Sequence, residues 1–265
     1  MALGLPTVLG LKPRGWFIPH RYAPLLPPPG AQPPYPAIEA LFERRSPDFA
    51  RVIDQVENHA KPLEGLNGLL EQSWFPSLDA SVAYTMVRER RPQKIVEVGS
   101  GHSTRVLARA LGGVGEIVAI DPMPRADIAG LPGVRVVAST LQTAPRDLFD
   151  GLKPGDVLFI DSSHILMPGS DVDLLLNRVL PRLPAGALIH IHDIFLPFDY
   201  PAIWGWRNYN EQQGVAPLLA SGLYTPLFSS AWVERRMADR LAGSVIARLP
   251  RPADALPASL WLEKR

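Results

Sequence analysis

From Lys94 onward, short apolar runs alternate with segments whose apolar residues recur at helical spacing. The sequence predicts five strands, at 95–98, 116–120, 134–137, 156–160 and 187–191. Helices are predicted between them, at 104–111, 143–149 and 171–180. Apolar strands separated by helices are typical of a parallel sheet that is covered on both faces. The pattern therefore predicts a doubly wound α/β fold.

The chain after residue 200 is less regular. It predicts a helix over 204–219 that is broken near Gly214. Strand character follows over 224–233, a short helix over 234–241, and a last strand over 259–262. Residues 92–265 are therefore predicted to form one α/β domain.

Residues 1–36 form an arm that contains ten of the 29 prolines, so it cannot be mostly helix or sheet. Its apolar side chains include Trp16 and Phe17, which a solvated tail does not need. We therefore expect an extended arm, packed on the domain or on a partner subunit, rather than a disordered tail.

Residues 37–91 predict a helical extension between the arm and the α/β domain. One helix is expected to start at Ser46-Pro47-Asp48, because proline is favoured at the first helical position. A second helix is expected over 77–90, ended by Pro92.

Composition excludes several kinds of site. The chain has 265 residues, 46% of them apolar, and a net charge of +1, so it gives no support to a nucleic-acid partner. It contains no cysteine, which excludes disulfides, thiolate metal sites and cysteine nucleophiles. No apolar run is long enough to span a membrane, and the first residues lack the basic region of a secretory signal. We therefore expect a cytoplasmic location.

The strand 95–98 runs into a Gly-x-Gly turn and then directly into a helix. Glu97 precedes the turn Gly99-Ser100-Gly101, and Ser103 and Thr104 can cap the helix. Glycines allow close approach to a ligand, and the helix N-terminus attracts negative charge. The turn predicts a pocket for a nucleotide-like cofactor. The third glycine of the dinucleotide fingerprint is replaced by Thr104.

Polar residues follow the apolar strands at their carboxyl ends. These are Glu97, Asp121, Asp161 and the pair His192-Asp193. The carboxyl ends of parallel strands meet at one edge of the sheet, where ligands of such folds bind. Asp121 lies 24 positions after Glu97, at the end of the next strand, where a carboxylate accepts the hydroxyl hydrogens of a ribose.

Four motifs together resemble the class I S-adenosylmethionine-dependent methyltransferases, in the branch called methyltransferase family 24. They are Glu97 to Thr104, Ala119 to Pro122, Leu158 to His164 and His190 to Phe195. The resemblance covers about residues 75–265. It implies a mostly parallel seven-stranded sheet, in which Ala258 to Leu262 form an antiparallel strand.

The resemblance also implies S-adenosylmethionine as the cofactor. The glycine turn faces its methionine part, supported by Glu97, while Asp121 holds the ribose. The full set of expected cofactor-binding residues is Glu97, Gly99, Ser100, Gly101, His102, Ser103, Asp121, Pro122, Thr140, Leu141, Gln142 and Asp161.

Three interpretations remain open for the residues after the fourth and fifth strands. Similarity to the catechol-type O-methyltransferases makes Asp161, His192 and Asp193 a site for a divalent metal such as Mg²⁺ or Mn²⁺. A gapped match instead aligns Asp193 with the metal-binding Asp of those enzymes. Without a metal, His192 or His164 is a candidate general base. In the third interpretation these histidines are structural, as we expect for His190 inside the fifth strand.

The predicted function is methyl transfer to a hydroxyl of a sugar, glycan or other small natural product. An NAD-dependent oxidoreductase is one alternative, because a glycine turn and an acidic strand end also suit NAD. A non-catalytic subunit that uses the cofactor fold for interaction is the other. The expected partner is a small-molecule or glycan acceptor, and a homo-oligomer remains open.

Overall fold

A computed structural model describes residues 4–265, and a seven-stranded sheet lies at the centre of this part of the chain. Its strand order is β3-β2-β1-β4-β5-β7-β6. Strands β1 to β5 are parallel to one another, and β7 runs antiparallel to β5 and β6. The strands are β1 Lys94–Val98, β2 Glu116–Ile120, β3 Val134–Val137, β4 Val157–Ile160, β5 Leu188–Ile191, β6 Tyr224–Ser229 and β7 Leu260–Lys264.

This order and the reversed last strand confirm the predicted fold class. The five parallel strands lie within one residue of their predicted bounds. The strand β6 ends at Ser229, earlier than predicted, because the Ser229 hydroxyl accepts a hydrogen bond from the Trp232 amide and caps the next helix.

Ten α-helices occur in the described residues and surround the sheet. They are α1 Leu5–Val8, α2 Pro36–Glu57, α3 Ala60–Glu64, α4 Asn67–Leu70, α5 Ser77–Arg90, α6 His102–Leu111, α7 Asp171–Leu174, α8 Glu211–Ala220, α9 Ser230–Arg236 and α10 Ala238–Ala242. No helix within residues 4–265 is long and apolar enough to cross a membrane.

Two helix predictions were wrong at residues that usually start or break a helix. Helix α2 begins at Pro36, and Pro47 lies inside it rather than at its start. Pro47 has no N–H group and cannot donate a helical hydrogen bond. The hydroxyl of the preceding residue, Ser46, adds a hydrogen bond nearby by donating to the Phe42 carbonyl. In α8, Gly214 continues the helix instead of breaking it. A Cβ atom there would lie 2.6 Å from a terminal methyl group of Leu176, so the leucine side chain packs closely on the glycine.

Two crossover segments are also less helical than predicted. The segment 143–149 contains only the single turn Arg146–Leu148. The predicted helix over 171–180 consists of α7 and a wider π-helical turn, Leu175–Val179, followed by a short turn, Leu180–Arg182, which contains Pro181.

The helical extension shares the core of the α/β domain. Phe49 of α2 packs edge-on against Phe228 of β6, with 5.9 Å between ring centres. Phe42 contacts Phe49 and Trp232 in the same way, at 5.8 and 6.0 Å. All four side chains are almost fully buried. These contacts place α2 against the antiparallel edge of the sheet.

The arm packs on the domain only near its end. The amides of Gly30 and Gln32 donate to the Asp199 carboxylate, at 2.9 and 3.3 Å. Trp16 and Phe17, in contrast, are 56% and 67% exposed. The predicted packing on the domain is therefore confirmed for Gly30 and Gln32 but not for the aromatic residues. Contact with a partner subunit stays a prediction, and residues 1–3 lie outside the described part of the chain.

We predict that Phe49→Ala lowers the free energy of unfolding by about 3–5 kcal/mol, because it opens a cavity among four packed rings. Phe17→Ala is the matched control, and its effect should stay within about 0.5 kcal/mol because the side chain is exposed. Urea denaturation of both variants measures the difference. Equal effects of the two substitutions would contradict the placement of α2.

Candidate active site

Two cavities open at the carboxyl ends of the parallel strands, and they meet at Asp161. The turn cavity, of about 340 Å³, lies beside the glycine turn and the ends of β1 and β2. The histidine cavity, of about 310 Å³, lies beyond the ends of β4 and β5. Asp161, Ser100 and Arg125 line both of them. A ligand in one cavity therefore lies next to a ligand in the other.

The glycine turn is pressed against the end of β4. Gly99 has a φ of +80°, and a Cβ atom on it would lie 1.8 Å from the backbone oxygen of Asp161. No side chain fits there, so the closeness of the two strand ends depends on this glycine. The Gly99 amide donates to the Ile120 carbonyl at 3.0 Å, which fixes the turn to the end of β2.

Glu97 supports the turn from behind. Its carboxylate is fully buried and accepts hydrogen bonds from the hydroxyls of Ser103 and Thr104, each at 2.6 Å. Thr104 in turn accepts a hydrogen bond from the Gly101 amide at 2.9 Å. Burial raises the pKa of Glu97 to about 8, against the opposing effect of these two hydroxyl donors. Glu97 lines neither cavity.

Asp121 ties the end of β2 to the same turn. One carboxylate oxygen accepts from the Ser100 amide and hydroxyl, at 2.7 and 3.0 Å. The other accepts from the Met123 amide at 2.7 Å. Asp121 lines the turn cavity and retains acceptor capacity for a further hydroxyl donor.

The structure brings most of the predicted cofactor-binding residues to the turn cavity. Those that line it are Gly99, Ser100, Asp121, Pro122, Thr140, Leu141, Gln142 and Asp161. His102 and Ser103 instead line the histidine cavity, and Gly101 lines neither. The predictions missed Arg125, Ser139 and Ser162, which lie in loops, and Asp171 at the start of α7, because no recognisable spacing marks them.

The four predicted catalytic side chains converge at the base of the histidine cavity. His164 Nε2 lies 3.3 Å from Asp161 Oδ1 and 3.3 Å from Asp193 Oδ2. His192 Nδ1 lies 3.6 Å from Asp161 Oδ1 and 3.3 Å from Asp193 Oδ1. The side chain of Asp161 is 36% exposed, whereas the two histidines are 5% exposed. Each imidazole therefore contacts both carboxylates.

Two further carboxylates behind the histidines were not predicted. Glu211 Oε2 lies 2.9 Å from His164 Nδ1 and is fully buried. Asp79 Oδ2 lies 3.4 Å from His192 Nε2, and its carboxylate also accepts from the amides of Ala258 and Ser259. Both lie on helices far away in sequence, at the first turns of α8 and α5, and no spacing links them to the histidines.

The charges of this cluster stabilise one another. Burial alone lowers the pKa of His164 and of His192, but the surrounding carboxylates outweigh burial and raise both pKa values well above the ordinary range. Burial alone raises the pKa of Asp161, but the two histidines hold it well below its usual value. The proximity of the histidines to the carboxylates therefore favours the proton on each imidazole and the charge on Asp161, whereas burial raises the pKa of Glu211.

The donor arrangement does not favour the predicted metal site. The imidazole of His164 lies between Asp161 and Asp193, which a bound ion would have to share. No group of three or more His, Asp or Glu side chains in residues 4–265 is arranged to hold a metal. Asp161, His192 and Asp193 therefore lie close together, and metal binding by them stays a prediction.

His190 has the structural role that was expected for it. Its ring stacks on Phe159 with 3.7 Å between centres, and Nε2 lies 2.7 Å from the Ser259 hydroxyl. Burial holds its pKa well below the ordinary value. His190 is therefore a neutral core histidine behind the cluster.

The walls of the histidine cavity are aromatic. Trp74 and Phe75 line one part of it, and Trp204, Trp206 and Tyr209 line another. Trp74 and Trp206 are 52% and 77% exposed, so they lie at the open side of the cavity.

Comparison with known proteins finds a match for the part of the chain that carries the glycine turn and the histidine cluster. Residues 96–194 match the model of methyltransferase family 24, described as a methyltransferase domain. This segment of the chain is similar to the family's methyltransferase domain. The matched segment contains nearly all of the five parallel strands together with Asp121, Asp161, His164, His192 and Asp193. No curated protein matches the sequence of this methyltransferase.

Several solved structures are weakly similar to the methyltransferase. A proposed O-methyltransferase from Klebsiella pneumoniae shares 16% identity over 81% of this chain and 90% of its own, with a TM-score of 0.45. The O-methyltransferase TomG from Streptomyces achromogenes, involved in tomaymycin synthesis and solved with SAM, shares 19% over 66% and 80%, with a TM-score of 0.39. The plantazolicin methyltransferase BpumL, solved with SAH, shares 13% over 86% and 98%, with a TM-score of 0.43. At these scores the fold assignment rests on the strand order of the chain itself.

We predict that Glu97→Gln flattens the pH dependence of stability. In the folded protein Glu97 binds its proton more tightly than in the unfolded chain, so its contribution to the free energy of unfolding is lost as pH rises from about 4.5 to about 8. Glutamine does not titrate. Urea denaturation at several pH values should show a smaller decline for the variant over this window. Identical declines would contradict a raised pKa of Glu97.

Proposed function

We propose that this methyltransferase transfers a methyl group from S-adenosylmethionine to a hydroxyl oxygen of a sugar, glycan or other small natural product. The observation that carries the proposal is the meeting of two cavities at Asp161. One cavity has carboxylate and backbone groups suited to a nucleoside and an amino acid. The other has two histidines that can accept a proton. Methyl transfer needs such adjacency, because donor and acceptor must align.

In the proposed arrangement the turn cavity holds the cofactor. Asp121 binds the ribose hydroxyls, and Thr140, Leu141 and Gln142 contact the adenine. The glycine turn and Asp161 face the methionine part. The sulfonium centre of S-adenosylmethionine supplies a methyl group that is already reactive, so the protein has to orient the acceptor and remove its proton.

His164 is the better candidate for the general base. It lines the histidine cavity, its Nε2 lies 3.3 Å from Asp161, and Glu211 lies 2.9 Å from its Nδ1. A base oriented by a buried carboxylate is a recurring arrangement for proton removal from a hydroxyl. His192 is less well placed, because its carboxylate partner Asp79 lies at 3.4 Å.

The two alternative functions receive less support. The position of the third glycine of an NAD site is occupied by Thr104, whose hydroxyl bonds to Glu97 instead. A non-catalytic interaction subunit has no need of a buried cluster of paired charges that opens into a cavity.

Calorimetric titration tests the cofactor assignment. We predict that S-adenosylhomocysteine binds and NAD does not, and that Asp121→Ala weakens binding by about 2–3 kcal/mol through the loss of charge-assisted hydrogen bonds. Asp239→Ala, an exposed acid on α10, is the control and should bind like the unmodified protein. Binding of NAD alone, or unchanged affinity in Asp121→Ala, would overturn the assignment.

Kinetics test the base. We predict that His164→Ala lowers kcat by about 10²–10⁴-fold without weakening S-adenosylhomocysteine binding. His59→Ala is the control, because that histidine pairs with Glu89 away from both cavities. EDTA should leave turnover unchanged. Loss of turnover in EDTA with recovery in Mg²⁺ or Mn²⁺ would instead support the metal interpretation.

The pH profile gives a second measure of the same proposal. Only neutral His164 can take a proton, and its carboxylate neighbours raise its pKa. We therefore expect kcat/KM to rise with pH beyond the ordinary histidine range, and this rise should disappear in His164→Ala. A profile that is flat above pH 6 would contradict a base of raised pKa.

A further inference from the structure

Arg207 lies in the wall of the histidine cavity, surrounded by aromatic rings. Its guanidinium carbon is 4.4 Å from the ring centre of Trp204, 5.2 Å from that of Trp206 and 5.3 Å from that of Tyr209. One terminal nitrogen donates to the Tyr209 hydroxyl at 2.9 Å. Stacking on these rings positions the guanidinium and leaves most of its N–H groups free.

Arg207 has no carboxylate partner in the described part of the chain. None of the ion pairs within residues 4–265 includes it. Its Nε is buried and makes no hydrogen bond to any of these residues. A buried donor of a charged group that stays unpaired is unfavourable, so an acceptor from outside the chain would stabilise this position.

The other charged groups of the cavity indicate which chemical group would accept hydrogen bonds from Arg207. At the base, Asp161 and Asp193 are already paired with the two histidines. Arg207 is different, because aromatic faces hold it while its planar N–H edge remains unpaired. Such an edge matches the two oxygens of a carboxylate or a phosphate. A neutral hydroxyl would satisfy one hydrogen bond and leave the positive charge unpaired.

We propose that the methyl acceptor carries an anionic group, a carboxylate or a phosphate, that binds to Arg207 while its hydroxyl lies at Asp161 and His164. This inference rests on the methyl-transfer function proposed above and specifies its substrate class. Arg125 also lines the cavity, stacked 4.2 Å from the ring centre of Trp74, but it lines the turn cavity as well. Arg207 lines only the histidine cavity of the two, so it is the arginine whose substitution tests binding of the acceptor.

The test uses the full chain saturated with S-adenosylhomocysteine and follows the indole N–H signals of its tryptophans by NMR. Acetate, inorganic phosphate and neutral acetamide are titrated at constant ionic strength. We expect saturable shifts of the Trp204 and Trp206 signals with acetate or phosphate, and none with acetamide. Stronger binding of phosphate indicates a phosphate-bearing acceptor, and stronger binding of acetate indicates a carboxylate.

Variants separate recognition from folding. Arg207→Gln should weaken anion binding at least tenfold, and Arg207→Lys, which keeps the charge but lacks the planar N–H edge, should bind more weakly than the unmodified protein and more tightly than Arg207→Gln. Arg178→Gln, an exposed arginine in a different cavity, is the matched control and should not change it. Equal titrations with acetate and acetamide, or unchanged anion binding in Arg207→Gln, would overturn the proposal.

Calorimetry with S-adenosylhomocysteine on each variant keeps the two proposals distinguishable. Normal cofactor affinity without an Arg207-dependent anion site refutes the anionic acceptor alone. Failure of the unmodified protein to bind S-adenosylhomocysteine refutes the methyl-transfer function, and the anion titrations without cofactor then still decide whether Arg207 binds an anion.

Discussion

The close contact between Gly99 and the backbone of Asp161 is the constraint on which the site depends. Parallel pairing of β1 with β4 brings the ends of the two strands together, and the missing side chain allows the turn to lie against the next strand. Because the turn borders one cavity and Asp161 borders both, this contact sets how near two bound molecules can come. Glu97 and Thr104 reinforce the turn from the buried side through short hydrogen bonds.

The second constraint is the unfavourable free energy of burying charged side chains. Asp161, His164, His192 and Asp193 lie in an environment where an unpaired ion is highly unfavourable, so each is held against partners of opposite charge. Glu211 extends this pairing on the far side of His164. The same pairing that keeps the cluster stable raises the pKa of the histidines, and therefore links the stability of the site to the pH at which a base could act.

The chain outside the sheet completes the site. The loop that carries Trp204, Arg207 and Tyr209 forms the aromatic wall of the histidine cavity. The arm reaches this loop, because Pro29 packs so closely on Gly205 that a Cβ atom there would lie 2.8 Å from the Pro29 ring. The segment of the arm that is anchored to the domain is thus the one nearest to the acceptor wall.

The sequence by itself determined the elements whose pattern is local. Apolar runs located β1 to β5, and the glycine turn, Asp121 and Asp161 were found at strand ends because parallel strands bring these ends to one edge. Only the tertiary structure decided the partners that come from distant segments. Glu211 lies 47 residues after His164, and Asp79 is 179 positions before Ala258, so no periodicity could join them. Pro47 and Gly214 were misread because local preference alone was used, whereas α2 and α8 continue through these residues, next to Phe49, which packs on Phe228, and next to Leu176.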